Sequence, residues 1–212
     1  MAGTPILTYA LLAITIFISS RGFKDQALQW RFMFNAHQVK ADKEWYRLLS
    51  HGFIHSGWPH LIMNMVGLYF FGPFLESVLV QAKGFALGGV LYMLLYFGSM
   101  IVGSLPALYK HHDNPSYNAL GASGAVYGLI MGFVMLMPVQ SIYLYGIIEM
   151  PAYVMGIGFF IVEYYSSKKM NTNIGHDAHI TGALFGVLFI ILIEPGSVQH
   201  FFSEIMNYPW GR

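Results

Sequence analysis

Residues 59–79 read PHLIMNMVGLYFFGPFLESVL. A run of about 20 apolar residues is what a helix needs to cross the hydrocarbon core of a bilayer. The run opens on Pro59, a residue a first helical turn tolerates because its missing N–H would have had no partner there. It also carries His60 and Asn64, which are four residues apart and so share one face of a helix. Five more stretches have the same length and character, at residues 2–20, 84–108, 119–137, 148–165 and 177–194. They predict an all-α membrane protein of six transmembrane helices, with residues 1–212 forming a single domain and one long loop between the first and second helices.

Composition agrees on the medium. The chain has 212 residues, of which 56% are hydrophobic, 17% aromatic and 10% charged. A soluble domain carries about a quarter charged residues. The net charge of +1 gives no reason to expect nucleic acid as a partner. The chain has no cysteine, which excludes disulfides, thiolate metal sites and a cysteine nucleophile. No Lys or Arg precedes the first stretch and no clear small-residue cleavage site follows it, so a removable signal peptide is not expected. The loop 21–58 interleaves Arg21, Lys24, Arg31, Lys40, Lys43 and Arg47 with Trp30, Trp45, Tyr46 and Trp58. Amphipathic rings and snorkelling cations are stable at a membrane–water boundary, so this loop reads as interfacial.

Ionisable residues inside membrane spans are costly and point to function. His60 and Asn64 are joined by His51 and His55, again four apart, and by His176 and His179, three apart at the start of the sixth stretch. Gly182 and Gly186 follow His179 on one face, while Gly124, Gly128 and Gly132 recur every four residues in the fourth stretch. Small residues let helix backbones approach closely. The octapeptide GASGAVYG, residues 121–128, places Ser123 and Tyr127 beside that glycine face. Packing the two small faces together brings His179 within reach of Ser123.

These segments carry a resemblance. WYRLLSHGFIHSGWPHLIMNMVGLYFFGPFLE (residues 45–76), GASGAVYG and AHITGALFG (residues 178–186) resemble, in order, the first loop with the second helix, the nucleophile motif and the catalytic-histidine motif of rhomboid intramembrane serine proteases. The resemblance covers essentially the whole chain. It implies Ser123 as nucleophile and His179 as general base, a dyad without an acid partner. It implies an oxyanion hole from His60, Asn64 and the Ser123 backbone N–H, with Tyr127 packed on the His179 ring. Gly121, Gly124, Gly182 and Gly186 would support the site, Arg47 would stabilise the first loop, and Glu76 would tie down the far end of the second helix. Tyr46 stands where the family usually has Trp, and Ser50 where Thr is common. The substrate would be a transmembrane segment of another membrane protein, within the lipid bilayer, with no cofactor and no metal. The fifth helix and the polar segment SSKKMNTNIG, residues 166–175, would act as gate and cap.

Bland readings sit beside these. His51 and His55 read as hydrogen-bonded loop residues, His176 as a hydrated cap residue, and Asp177 as pointing away from His179. Two alternatives to a protease are an inactive relative that binds transmembrane segments, and a metal carrier using His51, His55, His60, His176 and His179. Orientation draws opposing expectations. Six of the 11 basic residues lie in the 21–58 loop, and the rule that cytoplasmic loops hold the Lys and Arg excess puts that side in the cytoplasm. The resemblance puts the site on the extracytoplasmic side of a bacterial inner membrane, and is preferred because an interfacial loop can anchor its cations to lipid.

Overall fold

The computed structural model describes residues 4–144, 146–169 and 175–209. The chain is mostly helical. Helix α1 spans Ile6–Gly22 and is followed by a structured loop rather than an extended one. Asp25 caps α2 (Gln26–Phe32) by accepting from the Leu28 N–H at 3.1 Å, and Asn35 caps α3 (Ala36–Ala41) by accepting from the Gln38 N–H at 2.9 Å. A short α4 (Arg47–Ser50) and a 3₁₀ turn (His51–Phe53) lead into α5, Trp58–His111. Between α2 and α3, β1 (Phe34–Asn35) pairs antiparallel with β2 (Asn118–Ala119), tying the loop to the segment before Ser123.

Helix α5 is two helices joined at Gly84, whose φ of +79° interrupts the helical backbone. That left-handed conformation costs glycine little and other residues more. The two arms, 58–83 and 85–111, match the second and third predicted stretches. Next come α6 (Ser123–Leu136), the hairpin β3 (Ser141–Leu144) with β4 (Ile148–Pro151), α7 (Ala152–Lys169), α8 (His176–Ile193) and α9 (Ser197–Met206). The fifth stretch therefore starts later than its apolarity suggests: residues 148–151 form a strand paired with 141–144. Ser166–Lys169, expected in a polar loop, continue α7 instead, and residues 170–174 lie outside the described part of the chain.

Among the described residues two helices, α5 and α8, are long and apolar enough to cross a membrane, and α1 and α6 are shorter apolar helices. Around an apolar core, many large apolar side chains are exposed and several polar ones are buried. Phe17, Phe70, Phe85, Leu188 and Leu192 are exposed, while Thr8, Thr15, Asn64, Glu76, Ser99, Ser104 and Glu163 are buried. Large exposed apolar surface marks contact with something other than water.

Helix α6 is central, packed on α5 and α8 along its length and on α7 and α9. Its seam with α8 is built on glycine. A Cβ at Gly182 would run into the Gly124 backbone, and one at Gly186 into the Gly128 backbone. Glu76, on the first arm of α5, accepts hydrogen bonds from the Leu7 N–H (2.9 Å), the Thr8 N–H (2.8 Å) and the Thr8 hydroxyl (2.7 Å). A carboxylate at a helix N-terminus satisfies N–H groups that have no partner within the helix and meets the favourable end of its dipole.

Candidate active site

Ser123 is the first residue of α6, preceded by Gly121 at φ +112°. A side chain at 121 would be strained by that backbone and would also meet the His60 ring, whose Cε1 and Nε2 stand 2.6 and 2.7 Å from the Cβ position. The glycine seam holds α8 against α6, and His179, in the first turn of α8, places its Nε2 2.7 Å from Ser123 Oγ. The Tyr127 ring lies one turn further along α6, with its centroid 4.6 Å from that of His179. On its other face Tyr127 stacks on Phe159 of α7 at 4.2 Å.

His60 and Asn64 both lie near the start of α5. His60 Nδ1 is 3.2 Å from Ser56 Oγ. Asn64 is buried and donates one amide N–H to the His60 carbonyl at 2.9 Å. Behind them, the backbone leading to Ser123 is pinned by the two loop histidines. The His51 carbonyl accepts from the Gly121 N–H at 2.9 Å, and its Nε2 lies 3.0 Å from Ser104 Oγ. Ser104 donates to the Met100 carbonyl, so its oxygen accepts from the His51 ring. His55 is bonded through Nδ1 to Ser19 Oγ (2.8 Å) and through Nε2 to the Ala122 N–H (3.4 Å). Burial pulls the His51 imidazole down to about 4, against weaker opposing help from the Gly121 and Leu48 backbone. Burial, then the neighbouring His60 and His51, pulls His55 down to about 3. Both rings are therefore neutral near pH 7, and His55 Nε2, which accepts from the Ala122 N–H, requires it.

One residue in the site escaped the sequence reading. Glu163 of α7 places Oε1 3.1 Å from His179 Nδ1 and Oε2 2.6 Å from His176 Nδ1. Ser123 and His179, expected to pair without an acid partner, thus have a carboxylate on the far side of the His179 ring. His176, expected as a hydrated cap residue, is buried against that carboxylate. The signal was available: Glu163 is an acid well inside an apolar stretch, with Glu149 at its edge, and an ionisable residue within a span is the pattern that singled out the histidines. Asp177 is turned away and pairs with Lys110.

Glu163, His176 and His179 are also the group of described residues whose ligand atoms, all within 4.8 Å of one another, could share a metal ion. The separations are those of hydrogen bonds. His51 and His55, which a carrier built on five histidines would use, lie against Ser104 and Ser19. Further out, Arg47 donates to the Trp30 and Met33 carbonyls at 2.8 and 2.7 Å and sits over the Tyr46 ring, bracing the first loop. In the segment before Ser123, His111 stacks on Tyr117 at 3.8 Å.

The sequence has counterparts in known proteins. A family model described as the rhomboid domain matches residues 42–195. RHOMBOID-like protein 12, mitochondrial, of Arabidopsis thaliana is 29% identical over 188 residues, covering 85% of this chain and 56% of its own length. RHOMBOID-like protein 4 of the same plant is 34% identical over 160 residues, covering 74% of this chain and 36% of its own. Rhomboid protease GlpG of Haemophilus influenzae is 24% identical over 194 residues, covering 88% and 89% of the two chains. This chain thus spans about half or less of the length of the two plant proteins. Relatives named as mitochondrial stand beside bacterial ones, so the family match does not single out a bacterial membrane.

Proposed function

Because the chain belongs to the rhomboid family, whose members are membrane-embedded, we propose that it is an intramembrane serine endopeptidase that cuts transmembrane segments of other membrane proteins. The observation that carries this reading is the 2.7 Å approach of His179 Nε2 to Ser123 Oγ. Serine is a weak nucleophile until a base takes its proton, and the base has to be within hydrogen-bond reach. Ser123 Oγ would attack the scissile carbonyl as its proton passes to His179 Nε2, and the proton would then go to the departing amine. Ser123 begins α6, so its backbone N–H is unpaired within the helix and favours the negative oxygen that forms.

His60 and Asn64 would complete the oxyanion hole. Ser56 donating to His60 Nδ1 leaves Nε2–H as a donor, and Asn64 has a second amide N–H beyond the one on the His60 carbonyl. We expect His60→Ala and Asn64→Ala each to lower kcat by about 10²–10³-fold, the range for removing one oxyanion donor. Both variants should remain folded, as read by thermal unfolding in detergent. If both unfold instead, the two residues serve packing.

In this reading α1, the two arms of α5, α6, α7 and α8 are six spans of one domain, comprising residues 1–212. The substrate segment must unwind locally, because a helical peptide bond cannot present itself to serine in extended form, and a small residue would precede the cut. Helix α7 and the segment after it would be gate and cap. The site would open to the extracytoplasmic side of the membrane that holds it. Single cysteines at Asn114 and Ala82, both exposed, test that orientation. On intact cells a membrane-impermeant thiol reagent should label the first and spare the second, and the reverse pattern would reverse the topology.

A further inference from the structure

We propose that Glu163 and His176 are positioning residues for the serine–histidine pair, forming a relay His176–Glu163–His179–Ser123 drawn from three helices. The inference rests on the protease reading above. Ser123 belongs to α6, Glu163 to α7 and both histidines to α8. The side chains of Glu163, His176 and His179 are only 9%, 10% and 12% exposed. An acid in such a place is costly unless its charge is matched. Here each carboxylate oxygen faces a different imidazole, and in both rings the facing atom is Nδ1.

That detail fixes the chemistry. An ionised carboxylate only accepts hydrogen bonds, so each ring presents Nδ1–H to it. A neutral histidine with its proton on Nδ1 has a lone pair on Nε2. For His179 that lone pair lies 2.7 Å from Ser123 Oγ, which is the tautomer a general base requires. As the Ser123 proton moves to Nε2, the oxygen lone pair forms the bond to the substrate carbonyl carbon and the carbonyl π pair moves to its oxygen. The imidazolium so formed has a negative charge 3.1 Å from its Nδ1. Glu163 keeps its charge throughout and exchanges no proton. His176, holding the second oxygen at 2.6 Å, stops the carboxylate from rotating away. Helix α7 meets the same ring by a second route, through Phe159 stacked on Tyr127 and Tyr127 on His179.

The test uses the full chain in detergent with a transmembrane-segment substrate, and measures kcat, KM, the unfolding midpoint and the rate at which a fluorophosphonate labels Ser123. Glu163→Gln keeps the shape but removes the charge, and its amide can accept from only one of the two Nδ1–H groups, leaving the other facing a donor. We expect kcat to fall by about 10²–10⁴-fold, the upper end being the loss when a buried triad carboxylate becomes an amide. KM and the midpoint should hold, and labelling should slow in parallel. Glu163→Asp should recover part of the loss, and His176→Ala should lose less than Glu163→Gln. Wild-type kcat in Glu163→Gln overturns the proposal, as does a loss confined to KM or a folded Glu163→Asp as slow as Glu163→Gln. If Glu163→Gln fails to fold, His176→Ala decides: reduced kcat at unchanged KM supports the relay, and unchanged kcat overturns it. Cleavage by Ser123→Ala in the same assay would instead sink the protease reading.

Discussion

Ser123→Ala and His179→Ala are each expected to reduce cleavage of a transmembrane substrate to background, and the double variant to be no slower than either one. The two side chains are bonded to each other at 2.7 Å and would act on a single proton. Residues that work as a unit lose their effect together, so the first removal takes nearly everything. In a soluble serine protease that loss is on the order of 10⁶ in kcat, with binding and oxyanion stabilisation left as the residue of activity. A reconstituted assay with purified variants is sufficient. Near-normal cleavage by Ser123→Ala would end the protease interpretation. Additive losses would show that the two residues act in separate steps.

Gly182→Ala is expected to cost activity out of proportion to stability. One methyl group at this position meets the carbonyl and Cα of Gly124, the residue after Ser123. Gly182 itself is three residues after His179. The added carbon has to push α8 from α6 just where the nucleophile and its base meet. Overpacking of this kind costs about 1–3 kcal/mol of stability. A misplacement of about 1 Å at a reacting pair, however, can cost about 10²-fold in rate. The expected result is a folded protein with a lowered unfolding midpoint and at least about a hundredfold slower cleavage. Leu192→Ala, on the exposed side of the same helix, is the control and should leave cleavage unchanged. Wild-type cleavage by Gly182→Ala would mean that the seam can open without moving the pair.

How much of this was legible in the sequence varied with the kind of signal. Apolar run length located the helices because a hydrocarbon core sets a minimum length for whatever crosses it. It misplaced the start of α7 because Ile148, Met150 and Pro151 are apolar in a hairpin as well as in a helix, and a short apolar run has no period to separate the two. The 21–58 loop read as interfacial from its composition, but α2 and α3 within it depend on the Asp25 and Asn35 caps, which are signals of one residue each. The glycine spacing gave the α6–α8 seam, and through it the approach of His179 to Ser123. Glu163 was missed for a different reason. Its partners are 13 and 16 residues away, across residues that carry no motif, and only the return of α8 beside α7 brings them together.

The Glu76 cradle sets a limit on how far this protein can be trimmed. The family match begins at residue 42, after α1 has ended, yet the three donors that hold Glu76 all come from Leu7 and Thr8. A minimal chain cut to the matched region would keep the carboxylate and lose every one of those bonds. A buried polar group left without its hydrogen-bond partners costs about 1–3 kcal/mol, and a charged one more, a large part of what a domain of this size has to spare. The boundary drawn by sequence similarity and the boundary of the smallest self-sufficient fold are therefore different boundaries, and it is the first turn of α1, outside the signature, that fixes the second.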